Sequence, residues 1–136
     1  MSKERQDAFV VLSLDKDVRN AETVRIKASA YTGIAVRMKT ITQAGMEAIV
    51  KGIDLDVRRS QEEDDDPDTN KLSLINLRFE EVFFSKKVAG EFADFMRHKH
   101  HLESIGFISC KFEDTADFRR IMENIRTNKR VTKLLF

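Results

Sequence analysis

Between Leu77 and Lys129 the apolar residues change their period once, and that change limits what the chain can fold into. From Ile105 to Phe112 the residues are apolar or β-prone, with Gly106 as the only breaker, which predicts a strand. Glu113-Asp114-Thr115 interrupts the run. Phe118, Ile121, Met122 and Ile125 then fall at i, i+3, i+4 and i+7, one face of an α-helix. Asp114 or Thr115 supplies an N-cap, and Asp117 puts a carboxylate at the positive end of the helix dipole. Arg126, Lys129 and Arg130 sit near the negative end, where cations are favoured. The expectation is a strand that feeds a packed C-terminal helix.

Most of the preceding chain reads as short strands. Phe9 to Leu14 is an apolar run of strand length, and Val24 and Ile26 alternate with Arg25 and Lys27 as in a half-buried strand. Tyr31-Thr32-Gly33 offers a turn, after which Ile34, Val36 and Met38 alternate again. Thr40 to Gly45 is a polar connector. Met46 to Val57 places Ile49, Ile53, Leu55 and Val57 with a period of two at its end and Gly52 as a bulge. Glu62 to Asp68 holds six carboxylates beside the only proline, so 58–70 reads as an acidic mobile loop. It lacks the spaced carboxylates of a calcium loop. Leu77 and Phe79 mark another strand, with Val82 to Phe84 following. Val88 to His100 fits a helical stripe and a strand equally well, and the apolar tail Val131 to Phe136 needs a sheet edge or a partner. No internal repeat is evident. Six to eight strands and at least one helix suggest a mainly β fold, a small barrel or sandwich closed by a helix.

The 136 residues suffice for one domain, 1–136, with 1–23 either part of the barrel or an N-terminal arm. A formal net charge of +1 argues against nucleic acid or an anionic membrane as partner. Cys110 stands alone inside an apolar run, which indicates a buried, inert thiol and no disulfide. No apolar run approaches the ~20 residues of a membrane span, and the polar start is unlike a signal peptide, so a cytoplasmic protein is expected. His98, His100 and His101 cluster without a second cysteine to complete a zinc set, and read as a surface loop beside Arg97 and Lys99. No nucleophile–base order or glycine-rich phosphate loop is present, so neither catalysis, a metal nor a cofactor is expected.

Three segments together resemble the PilZ domains of bacterial cyclic di-GMP signalling. Thr40-Ile-Thr-Gln-Ala-Gly45 is similar to that family's Asp/Asn-x-Ser-x-x-Gly turn. Val88-Ala-Gly90-Glu-Phe92 and Ile105-Gly106-Phe107 resemble its closing hairpin, and Asp114 to Asn128 its terminal helix. The resemblance implies a six-stranded antiparallel barrel with a C-terminal α-helix, and makes Val88 to Met96 a strand. It further implies ligand contacts from Arg19, Arg25, Arg37, Thr40, Thr42 and Gly45. The match is atypical: no Arg-x-x-x-Arg precedes the turn, and Thr40 replaces the acidic or amide residue.

On this reading the chain is a non-catalytic signalling module, either a cyclic di-GMP receptor or a degenerate adaptor acting through protein–protein contact, with homo-oligomerisation left open. The exposed apolar candidates for such contact are Val82 to Phe84 and Leu134 to Phe136. The alternative is an RNA-binding sheet. Ile105 to Phe112 shares Gly106, Phe107 and Phe112 with the RNA-recognition signature but puts Ser109 at its central aromatic position.

Overall fold

A computed structural model describes residues 5–63, 74–98 and 100–136. The fold is α/β, not a barrel. Five strands form one open sheet: β1 (Gln6–Leu12), β2 (Tyr31–Val36), β3 (Asn76–Glu80), β5 (Ser104–Ile108) and β7 (Lys133–Leu135). They lie in chain order and every pairing is parallel. Each crossover carries a helix: α1 (Ala21–Ala28), α2 (Gln43–Glu63), α3 (Lys86–Met96) and α4 (Thr115–Asn128). Two-residue strands β4 (Phe83–Phe84) and β6 (Lys111–Phe112) pair in a second parallel ladder just after β3 and β5.

Parallel pairing rules out the hairpins of an antiparallel barrel, because each strand must return by a crossover before it can pair. The six-stranded antiparallel barrel is thereby overturned, and with it the PilZ resemblance loses its scaffold. Val88 to Met96 is helix, with Ser85 capping it and Val88, Phe92, Phe95 and Met96 buried. Glu22 to Ser29 is largely helix too, burying Val24 and Ala28 one turn apart and leaving Ile26 exposed. Within the expected N-terminal arm 1–23, the segment Gln6–Leu12 is β1, a full member of the sheet, and residues 1–4 lie outside those described. The acidic stretch is not a loop throughout 58–70: α2 continues to Glu63, and the remaining residues, 64–70, lie outside those described. The calcium reading of that stretch falls mainly there.

Helix starts are set locally. Asn20, Thr42, Ser85 and Asp114 each offer a side-chain oxygen to a backbone N–H two or three residues on, at 2.8, 2.9, 3.4 and 2.9 Å. Crossovers between parallel neighbours are right-handed, so a sheet in sequential order collects all its helices on one face. Accordingly α1 packs on α2, α2 on α3 and α3 on α4. Between the layers lies the core, with Leu12, Ile34, Leu77, Phe79, Ile105 and Phe107 from the sheet against Met46, Ile49, Ile53, Phe92 and Ile121 from the helices.

The register contains a repeat. Leu77 pairs with Ile105, Phe79 with Phe107 and Phe84 with Phe112, each 28 residues apart. Glu81 and Ser109, also 28 apart, both turn the chain with a left-handed backbone, at φ 55° and 54°. Leu102-x-x-Ile105-x-Phe107-x-x-Cys110-x-Phe112 thus repeats Leu74-x-x-Leu77-x-Phe79-x-x-Val82-x-Phe84. The aromatic members stack from repeat to repeat: Phe79 on Phe107 at 5.8 Å and Phe84 on Phe112 at 4.6 Å between centroids.

Candidate binding surface

Strand side chains alternate, so the residues between the core positions point away from the helices. In register these form two rows across the sheet. One runs Phe9, Gly33, Asn76, Ser104 and Lys133, and the next Val11, Ala35, Arg78, Gly106 and Leu135. Glu80 and Ile108 begin a third row, beside Arg37 just past β2. Parallel sheets ordinarily carry helices on both faces. Here, among the described residues, the helices pack in a single layer, and Val11 on the opposite face stays 40% exposed.

Arg78 occupies the middle of this face. Its Cζ lies 4.4 Å from the centre of the Phe9 ring, a cation–π contact. Its Nη1 stands 3.6 Å from Glu80 Oε1, while Arg37 Nε donates to Glu80 Oε2. That bond from Arg37 is the largest influence on Glu80. Against the cost of burial it holds the carboxyl below its ordinary value, with Arg78 adding to the effect.

The six residues expected to hold a ligand are spread through the fold. Arg37 is engaged by Glu80. Arg25 is on α1 and pairs with Glu22 at 2.5 Å, and Arg19 ends the short 3-10 turn Asp15–Val18. Thr40 bridges to Phe83 in the second ladder. Thr42 caps α2, its Oγ1 accepting from the Gly45 N–H, and Gly45 packs on Val18 and Ile41. The turn Thr40 to Gly45 is therefore a helix start with structural partners. Sequence reasoning missed Arg78 and Phe9. The signal that finds Arg78 is the 28-residue repeat, which assigns alternate strand positions to one open face, whereas Phe9 lies outside that repeat.

Of the three histidines expected at the surface, His98 is exposed and His101 half-buried, but His100 differs. His100 is 1% exposed, with Nδ1 accepting from the Leu102 N–H at 3.0 Å and its ring against Phe95. Burial, helped by Arg130 and His101, lowers its pKa to about 4. Cys110 is half-buried and follows the β5 turn; its Sγ donates to the Phe79 carbonyl of the preceding repeat at 3.3 Å. Burial pushes that thiol's pKa up. Among the described residues no group of three His, Cys, Asp or Glu side chains could hold a metal, and no helix is long and apolar enough to cross a membrane.

Compared with models of known families, with curated proteins and with solved structures, the chain finds no match.

Proposed function

We propose that this chain is a solenoid segment of leucine-rich-repeat type and acts as a non-catalytic protein-binding module through the open face of its sheet. One observation carries the reading: the spacing L-x-x-L-x-L-x-x-C-x-L at Leu102 to Phe112 lies in register, residue for residue, on the same apolar spacing 28 residues earlier. A repeat of that length, one strand and one helix per unit in sequential order, stacks as a solenoid and leaves one sheet face for partners. The adaptor half of the sequence reading is kept on this new scaffold. The cyclic di-GMP half is not, because a sequential sheet has no topological switch point and so lacks the crevice in which open α/β sheets hold nucleotides.

Selection of binders from a displayed peptide library, with the intact chain as bait, tests this. Binders are expected to lose at least about tenfold in affinity to Val11→Arg or Ile108→Arg and to be indifferent to Lys51→Glu on the helix layer. Binders that ignore both sheet-face changes would refute the reading. Calorimetric heat on adding cyclic di-GMP, lost in Arg19→Ala or Arg25→Ala, would restore the receptor.

A further inference from the structure

We infer that the sheet face selects an extended peptide segment presenting an Asp or Glu carboxylate between apolar side chains, and that Arg78 receives the carboxylate; this rests on the sheet-face reading above. Two glycines hold the arginine in place. A Cβ on Gly33 would stand 2.7 Å from the Phe9 ring, so glycine there lets the ring lie against β2. That ring then carries the Arg78 guanidinium. A Cβ on Gly106 would meet Arg78 Cγ at 3.3 Å and Leu135 Cβ at 3.4 Å, so on the β5 side too the stem is closely seated.

The seated guanidinium has donors to spare. Arg78 Nε is buried without a hydrogen-bond partner, so the donors open to a ligand are those at the outer end of the guanidinium, where the Nη1 contact to Glu80 is longer than a hydrogen bond. Glu80 is already held by Arg37. The side chain nevertheless keeps 32% of its exposure. At the centre of the face two cations, Arg37 and Arg78, share one carboxylate, Glu80, so positive charge is in excess there. A planar guanidinium with free N–H groups matches a carboxylate in two-bond geometry. Val11 and Leu135, in the same row, offer apolar contact to the residues on either side of it.

The test uses the intact chain and two blocked decapeptides that alternate Leu and Ser around a central Glu or, in the twin, Gln. The Glu peptide is expected to bind about tenfold tighter, and Arg78→Gln to abolish the preference while Arg78→Lys keeps part of it. In the unsubstituted protein the Arg78 Nε–H resonance should shift with the Glu peptide and stay in place with its twin, which removes any dependence on the variants folding. Equal affinity for the twins, or a preference surviving Arg78→Gln, would overturn the assignment. If the twins bind equally and Val11→Arg weakens both, the carboxylate is refuted and the sheet face stands. No binding, or binding indifferent to Val11→Arg, counts against both.

Discussion

His100 shows how far a single residue's role depends on what folds over it. A His-Lys-His-His run reads as solvated, yet the chain leaves α3 and turns inward so that the second of its three histidines fills a closed site and accepts from Leu102. Asn128 of α4 closes the same turn by donating to the carbonyls of Met96 and His98, each at 3.0 Å. The folded pKa of His100, about 4, lies below its ordinary 6.5. The unfolded chain therefore takes up the proton first, and stability is lost as pH falls from 6.5 towards 4. Up to about 3 kcal/mol is at stake, read from urea midpoints at constant ionic strength across that window. A flat profile between pH 6.5 and 5 would contradict the closed site. Asp17 and Glu80 act lower on the scale. Burial raises the Asp17 value, but bonds from the Leu14 and Ser13 N–H groups and Lys27 outweigh it and hold the carboxyl down. Both depressed carboxyls stabilise above their ordinary values of 3.8 and 4.5 and lose that contribution in stronger acid.

At the scale of elements, α2 is the main correction to the sequence reading, and its residues held the evidence. Met46, Ile49, Val50, Ile53 and Val57 fall at i, i+3, i+4, i+7 and i+11 and all are buried, a helical face running through a segment whose last residues also alternate. Ile53 and Val57 satisfy both periods while Leu55 fits only the shorter one, and a short window cannot separate them. Gly52 is not a bulge. It is where α1 and α2 touch: a Cβ there would stand 2.7 Å from Val24 Cβ and 2.9 Å from the Ala21 carbonyl oxygen. Propensity alone would make Gly52→Ala stabilising by about 1 kcal/mol. Overpacking against α1 should reverse the sign and cost about 1–3 kcal/mol. A thermal melt of the variant decides between the two, a raised Tm counting against the close contact. α4 was the most legible element because its cap, its dipole charges and its apolar face agree over 14 residues.

For the whole molecule, stacking from repeat to repeat means that a residue's weight depends on how many neighbours it has. Phe79 is fully buried, with Phe84, Phe92 and Phe107 around it at 5.0, 5.2 and 5.8 Å. Phe136 follows β7 on the same side of the sheet and is 70% exposed. Phe79→Ala should cost about 3–5 kcal/mol and Phe136→Ala under about 1, by denaturant unfolding. Comparable costs would mean that the aromatic column does not organise the core. Of the two covers expected for the apolar tail at Val131 to Phe136, a sheet edge or a partner, the fold supplies the edge of β5 to Lys133–Leu135.

The sequence alone determined what is local: where α4 begins, through Asp114, and which short apolar runs become strands at β1, β3 and β5. These follow from side-chain oxygens and apolar spacing within a few residues of one another. Tertiary structure decided the direction of pairing, the burial of His100 and the open face around Arg78. A residue's parallel partner lies 24 to 43 positions further along the chain, and no short window reports which strand it will be. The repeat linking Leu74 to Leu102 was present in the sequence throughout. Its apolar positions are shared among Leu, Ile, Val, Phe and Cys, so it is the register of the folded sheet that brings them into line.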